Sequence, residues 1–254
     1  MESGAITQYI DVAQIVLYLF WAFFFSLVFW LNRESKREGY PVEPDTGTGA
    51  SFQGFPGVPS KKSFLLPDGS TVQVPRDKPE PEFRGRRVTP SNGSPYEPEG
   101  DPMLSALGPG AYANREDVPD AMFDGTPRIQ PLRILTDYHV EGRDPNPIGM
   151  QVVGHDGVAG GTVVDVWADR AEHFLRYFEF EKAGGGRALV PATFTQIPLD
   201  RSCVKVNSVK GEHFANVPTL AKPDVVTLLE EDKIAAYYGG GHLFSDPSYR
   251  EPLL

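Results

Sequence analysis

The sequence predicts a single transmembrane α-helix, followed by a mainly β cytoplasmic domain with a short C-terminal helix. Residues 12–32 form one long run without a charged side chain. Residues 132–220 contain short stretches in which polar and apolar side chains alternate between glycine-rich turns, as is typical of antiparallel strands. Residues 221–254 contain a helical pattern with capping signals. These patterns place one helix before and one helix after a region of short strands.

The uncharged run is long enough to cross a membrane. At about 1.5 Å of rise per residue, its roughly 21 residues extend about 31 Å, close to the hydrocarbon thickness of a bilayer. A backbone in lipid must satisfy its own hydrogen bonds, so the run is predicted to be one helix. A cleaved signal peptide is the alternative, but it would carry basic residues before the run, where this chain has Glu2 and Asp11.

Positive charges after the run predict its orientation. Arg33, Lys36 and Arg37 follow the run closely, and basic residues favour the cytoplasmic side of a membrane. Residues 1–11 are therefore expected to be periplasmic, and the main domain cytoplasmic. The same three basic residues and Tyr40 form a predicted lipid-binding group for an anionic lipid such as cardiolipin.

The composition excludes several classes of function. A net charge of -10 argues against nucleic acid as a partner. The single cysteine, Cys203, rules out an internal disulfide. The five histidines are scattered, so a metal site within the chain is not expected. A membrane-anchored enzyme is one alternative class, but the sequence contains no phosphate loop, nucleophile elbow or dinucleotide fingerprint to support it.

Residues 33–131 are rich in proline and glycine, which disfavours long helices and central strands. They are predicted to form an ordered, extended wrap over a partner surface, and a disordered linker is the alternative. Within the wrap, residues 62–75 predict two short strands around a PDGS turn.

The strand region 132–220 predicts a small, strongly bent antiparallel sheet or barrel. Residues 221–254 are predicted to form a helix and a tail. Thr227 and Glu230 have the spacing of a capping box, and the glycines from Gly239 onward are expected to end the helix.

The candidate functional residues are concentrated in one acidic stretch. If this stretch makes a helical turn, Glu172 and Arg176 lie four residues apart and can pair. Several carboxylates near one arginine titrate as a coupled set, which can hold a proton at neutral pH. A solvated turn with an ordinary surface ion pair is the alternative. The charged residues of the stretch are Asp165, Asp169, Glu172, Arg176, Glu179 and Glu181.

Several motifs, in order along the chain, resemble the H subunit of the purple bacterial photosynthetic reaction centre. They are YIDVAQIVLYLFW and NRESKREGYP around the predicted span, GDPM in the wrap, NPIGMQVVGHDG, GTVVDVWADRAEHFLRYFEFE and HFANVPTL in the strand region, and VTLLEEDKIAAYYGGG near the end. The resemblance implies a PRC-type β-barrel as the core of the cytoplasmic domain. It also implies a non-catalytic subunit that caps the L and M subunits, shields the quinone sites and conducts protons to the secondary quinone.

The resemblance further implies roles for individual residues. Glu172 is expected to carry protons, Arg176 to set its pKa, and Asp169 to act as an upstream carrier. At the point of proton uptake, Asp124 and Thr126 stand where some family members have a histidine pair, and Arg128 stands where they have a lysine. Uptake through Asp124 is therefore expected, with weaker inhibition by zinc or cadmium than in the histidine-bearing relatives.

The implied surroundings follow from the same resemblance. No cofactor is expected on this chain alone, because bacteriochlorophyll, bacteriopheophytin, quinones, non-haem iron and carotenoid belong to the L and M subunits. The expected partners are those subunits, a light-harvesting antenna ring and membrane lipid, with a cytochrome subunit left open. The expected location is the bacterial inner (intracytoplasmic) membrane. A membrane-anchored scaffold without a role in proton transfer is the alternative.

Overall fold

A computed structural model describes residues 6–7, 10–42, 52–67, 69–75, 84–91 and 93–249 of the 254-residue chain. The chain divides into two compact units. The first comprises Met1–Pro79 and Pro90–Ser94, and the second comprises Glu80–Thr89 and Pro95–Leu254. The later part of the predicted wrap thus belongs to the same compact unit as the sheet, and the domain boundary at residue 131 stays a prediction.

The first unit begins with helix α1 (Val12–Ser35). Asp11 caps it, because its side chain accepts a hydrogen bond from the backbone N–H of Gln14 at 2.6 Å. The helix has 24 residues and a mean hydropathy of 2.2 over its most apolar window, which makes it long and apolar enough to cross a membrane. None of its side chains is buried in the structure.

The predicted hairpin is confirmed in the same unit. Strand β1 (Lys62–Leu65) pairs in antiparallel fashion with β2 (Thr71–Val74), with Lys62 opposite Val74. Asp68 of the predicted turn lies outside the described residues.

The second unit is mainly β, as predicted. A short ribbon joins β3 (Gly85–Arg87) to β4 (Tyr96–Pro98). A seven-stranded sheet follows. Its strands are β5 (Ile129–Pro131), β6 (Gln151–Val153), β7 (Ala159–Asp169), β8 (Phe174–Lys182), β9 (Arg187–Pro191), β10 (Thr195–Gln196) and β11 (Cys203–Val206).

The order of the strands in this sheet is β10-β11-β6-β7-β8-β9, with β5 also paired to β7. All pairs in the sheet are antiparallel except the parallel pair of β6 and β11.

Strand β7 is the longest strand and changes partner along its length. Its first part pairs with β6, and its last three residues pair with β5. Irregular register after Val163 and after Trp167 marks bulges, which bend a sheet. The fully buried core side chains include Trp167, Phe180, Leu189, Val204 and Phe214.

Helix α2 (Leu228–Phe244) packs against the sheet near the end of the chain. The predicted capping box is confirmed, because Thr227 Oγ1 accepts from the N–H of Glu230 at 3.2 Å and Glu230 Oε2 accepts from the N–H of Thr227 at 2.9 Å. The expected end at Gly239 is wrong, since the helix continues to Phe244. Its glycines allow close packing: a Cβ at Gly240 would lie 3.2 Å from the Cα of Gly110.

Candidate functional site

The predicted helical turn between Asp169 and Arg176 is instead a β-hairpin turn. Strands β7 and β8 pair up to the last residue of β7, and residues 170–173 connect them. The Oδ1 of Asp169 stabilises this turn by accepting hydrogen bonds from the backbone N–H groups of Ala171 at 2.9 Å and Glu172 at 3.1 Å. Helical spacing therefore does not apply, and Glu172 and Arg176 have different partners.

Arg128, one residue before β5, is the partner of the carboxylates of both Asp169 and Glu172. Its Nε donates to Asp169 Oδ1 at 2.9 Å and to Oδ2 at 3.0 Å. Its Nη2 lies 2.8 Å from Asp169 Oδ2 and 2.6 Å from Glu172 Oε1. Its Nη1 lies 3.4 Å from Asp120 Oδ2. One guanidinium thus holds three carboxylates, and it is not the arginine that helical spacing predicted.

Burial separates the roles of these carboxylates. The side chain of Asp169 is 1% exposed, whereas that of Glu172 is 56% exposed. Burial acts to raise the pKa of Asp169, but hydrogen bonds from Arg128 and from the turn N–H groups outweigh it, so this pKa lies below its ordinary value. Asp169 is therefore ionised at neutral pH. The predicted role of Asp169 as an upstream proton carrier stays a prediction.

The predicted uptake residues lie in a tight turn before β5. Asp124 Oδ1 accepts hydrogen bonds from the hydroxyl and the backbone N–H of Thr126, and these bonds lower the pKa of Asp124. The Nη1 of Arg170 donates to Thr126 Oγ1 at 2.6 Å and to the carbonyl oxygen of Pro127 at 3.1 Å. Arg170 thus connects the uptake turn to the hairpin that carries Glu172.

A cavity of about 310 Å³ is lined by Arg128 and Asp169 together with residues of β8 and α2. The cavity is also lined by the carboxylate of Glu231, whose side chain is 12% exposed. The hydroxyl of Tyr177 donates to Glu231 Oε2 at 2.7 Å, and Arg176 Nε lies 3.9 Å from the same oxygen. Burial raises the pKa of Glu231. Arg176 therefore faces Glu231, not Glu172.

The acidic stretch supplies a second group of contacts around a different arginine. Arg133 Nη1 lies 2.8 Å from Asp165 Oδ2 and also contacts Glu179, while its Nη2 lies 2.7 Å from Asp224 Oδ1. The indole Nε1–H of Trp167 donates to Glu179 Oε2 at 3.0 Å. Asp165 and Glu179 are both buried. The single coupled set expected from the sequence is thus two sets, one around Arg128 and one around Arg133, and Arg187 Nη1 also lies 3.2 Å from Glu179 Oε1.

Three of the four predicted lipid-binding residues contact the protein itself. Lys36 is 6% exposed and donates to two backbone carbonyl groups. Arg37 makes hydrogen bonds of 2.7 and 2.9 Å with Glu34. The ring of Tyr40 lies 5.3 Å from the Lys36 ammonium. The ammonium of Lys36 is thus buried, Arg33 is the exposed member of the group, and lipid binding by these residues stays a prediction.

Comparison with protein families decides the identity of the chain. The family model described as the photosynthetic reaction centre H-chain N-terminal region matches residues 4–134, just over half of the 254 residues. The chain belongs to the photosynthetic reaction-centre H-chain family. A PRC-barrel domain model matches residues 139–213, which span strands β6 to β11. The sheet of this H chain is therefore a PRC-barrel, as the sequence predicted.

Family membership confirms several broader predictions. This H chain is a structural subunit that associates with the reaction centre complex. The family and the single apolar helix together fit a membrane-anchored protein. The roles of individual residues rest on the geometry alone.

The sequence patterns do not predict the two residues that organise the site of this H chain. Arg128 is expected only as a replacement for a lysine, and Glu231 has no expected role. Glu231 lies in the first turn of α2, close to Leu228 and Leu229. A carboxylate next to apolar residues in a helix is a sequence signal of partial burial. No local pattern could have placed Arg128 beside the hairpin.

The weaker inhibition by zinc or cadmium expected at Asp124 stays a prediction. Within the part of the H chain that the structure describes, no three His, Cys, Asp or Glu side chains converge to hold a metal ion.

Proposed function

We propose that this H chain caps the L and M subunits on the cytoplasmic side of the reaction centre and conducts protons toward the secondary quinone. One observation carries the proposal: a connected set of charged groups runs from the exposed Glu172, through Arg128 and Asp169, to the cavity that holds Glu231.

The chemistry of quinone reduction requires such a path. A quinone that receives two electrons takes up two protons, and an uncompensated charge in the protein interior is very costly. Protons must therefore arrive through groups that can gain and lose them near neutral pH.

Glu172 supplies the exchange with solvent. Its side chain is more than half exposed, and its Oε1 is held 2.6 Å from Arg128 Nη2. Asp169 is ionised and buried beside the same guanidinium, so it fixes the position of Arg128 and stabilises its charge. The residue that carries protons is thus Glu172, while Asp169 orients it through Arg128.

Glu231 supplies the internal acceptor. Its raised pKa means that it binds a proton closer to neutral pH than an ordinary glutamate does. The cavity volume of about 310 Å³ is ample for several water molecules, since one occupies about 30 Å³ in the liquid. The hydrogen bond from Tyr177 and the charge of Arg176, 3.9 Å from Glu231, oppose this rise in pKa.

The test uses assembled reaction centres that carry Glu172→Gln or Glu231→Gln. Flash spectroscopy measures the second electron transfer to the quinone, and a pH-indicator dye measures proton uptake. We expect each variant to slow both by about tenfold, equivalent to about 1.4 kcal/mol of barrier. Glu212→Gln is the control, because this carboxylate is 76% exposed and outside the site. Wild-type rates in both variants would favour the scaffold without proton transfer, to which the fixed Arg128–Asp169 pair would contribute only stability.

A further inference from the structure

Residues 52–59, which we call the phenylalanine loop, expose two large apolar side chains shortly after α1. Phe52 is 87% exposed and Phe55 is 81% exposed. No charged residue occurs from position 51 to position 60. Exposed apolar area is unfavourable in water by about 25 cal/mol per Å², so two such side chains on one short uncharged loop indicate a contact surface.

Lys36 holds this loop against the end of α1. Its Nζ donates to the carbonyl oxygens of Gln53 at 2.8 Å and Pro56 at 2.6 Å. Gly54, between these carbonyls, has a φ of +75°, and a Cβ there would lie 3.3 Å from the Lys36 Nζ. The loop therefore folds around the buried ammonium of Lys36, the residue that directly follows the last residue of α1.

The side chain of Gln53 adds a second attachment to the chain that leaves the helix. Its Oε1 accepts from the backbone N–H of Val42 at 2.7 Å, and its Nε2 donates to the carbonyl oxygen of Val42 at 2.9 Å. Together with the Lys36 contacts, these bonds give the phenylalanine loop a defined position relative to α1.

In this position, Phe55 of the loop lies beside the apolar part of α1. The ring of Phe55 lies 5.7 Å from the ring of Phe29, centroid to centroid. Phe29 precedes the helix end at Ser35 by six residues, about 9 Å along the axis at 1.5 Å per residue. If α1 spans the bilayer, Phe55 lies inside the boundary between headgroups and acyl chains, where aromatic side chains are favoured.

We propose that the phenylalanine loop inserts Phe52 and Phe55 into the lipid interface beside α1 and forms a second membrane contact of this chain. The partner is the bilayer itself. The loop is uncharged, it lies at the depth of Phe29, and Lys61 and Lys62 follow it in the sequence, where cations complement anionic headgroups. Lys36 acts as an internal latch for the loop.

Site-directed spin labelling tests the depth of the loop. Phe52→Cys or Phe55→Cys is introduced into the full chain with Cys203→Ser, labelled with a nitroxide, and studied in reaction centres reconstituted in phosphatidylcholine–phosphatidylglycerol vesicles. Power saturation compares collisions with oxygen, which concentrates in lipid, with collisions with a water-soluble nickel chelate. Doxyl-labelled lipids calibrate depth, and Glu38→Cys, an exposed position after α1, is the matched control.

We expect both loop labels to favour oxygen over nickel at least threefold more than the Glu38 label does. Labels that the nickel chelate reaches as readily as the control would overturn the proposal, because the loop would then lie in water. Labels that neither reagent reaches would also overturn it, because a protein surface would then cover the loop.

The latch has its own test. Lys36→Met keeps the methylene stem but removes the ammonium, and we expect the label at position 55 to become more mobile and to lose its lipid exposure. Arg33→Met, at an exposed neighbour, should leave the label unchanged. If the Lys36 variant fails to assemble, Gly54→Ala tests the same contact by placing a Cβ against the retained ammonium. Unchanged label mobility in either latch variant would disprove the role of Lys36.

Discussion

Arg128 and Asp169 are 41 positions apart in the chain, yet Arg128 Nε donates to both carboxylate oxygens of Asp169, at 2.9 and 3.0 Å. Strand pairing creates this contact, because β5 places Ile129 opposite Asp169. The guanidinium of Arg128 also binds Glu172. Arg128 and Asp169 both line the cavity that contains Glu231. The β5–β7 register is thus the structural basis of the proposed proton path.

Removal of Arg128 should destabilise the domain. Arg128→Ala leaves Asp169 buried without its guanidinium, and we expect a loss of about 2–3 kcal/mol, moderated because Arg128 is partly exposed. For a domain of this size, that loss lowers the melting temperature by about 5–10 °C. Circular dichroism of the purified protein in detergent measures it. The double variant Arg128→Ala with Asp169→Asn should recover most of the loss, and no recovery would contradict the pairing.

Stability around Glu231 should depend on pH in a defined direction. Its pKa is raised in the folded chain, so the folded state keeps a proton that the unfolded state has lost. Stability therefore falls as the pH rises from the ordinary value of 4.5 through the folded pKa. Glu231→Gln removes this loss, so the variant should melt higher than the wild type at neutral pH and similarly at low pH. Melting curves at several pH values check this, with Glu212→Gln as the control. An equal difference at every pH would contradict it.

Asp124 and Thr126 should make this H chain less sensitive to zinc and cadmium than its histidine-bearing relatives. One carboxylate and one hydroxyl form a poor site for these metals compared with two imidazoles. In the double variant Asp124→His with Thr126→His, cadmium should therefore inhibit the second electron transfer at a concentration at least tenfold lower than in the wild type. Asp124→His alone is the control and should gain less. Cadmium inhibition of the wild type at the same concentration as the double variant would refute the prediction.

The contacts of Arg133 should matter for stability and not for proton transfer. Glu179→Ala removes one of the two buried carboxylates that contact Arg133 and leaves the Trp167 indole N–H without its acceptor. We expect a loss of about 3 kcal/mol in the free energy of unfolding. Thermal melting measures this loss, and flash spectroscopy of assembled reaction centres should show an unchanged second electron transfer. Glu181→Ala, at an exposed position on the same strand, should change neither. A slowed electron transfer in the Glu179 variant would assign this cluster to the proton path.

The elements of the fold were predictable because each depends on neighbouring residues. The uncharged run specifies α1 by composition, and the spacing of Thr227 and Glu230 specifies the start of α2 by capping. The end of α2 was not predictable in the same way. Gly239 normally favours termination, but packing against Gly110 keeps the glycines helical, and Gly110 lies far away in the sequence.

The sequence by itself therefore determined the apolar helix that is long enough to cross a membrane, the mainly β domain, the capped C-terminal helix and, through its ordered motifs, the family. Only the tertiary structure decided which charges meet. It assigned Glu172 to Arg128, Arg176 to Glu231 and the Lys36 ammonium to the phenylalanine loop. The physical reason is range: propensity, capping and turn chemistry act over a few residues, whereas an ion pair depends on strand register and burial, which the whole domain sets together.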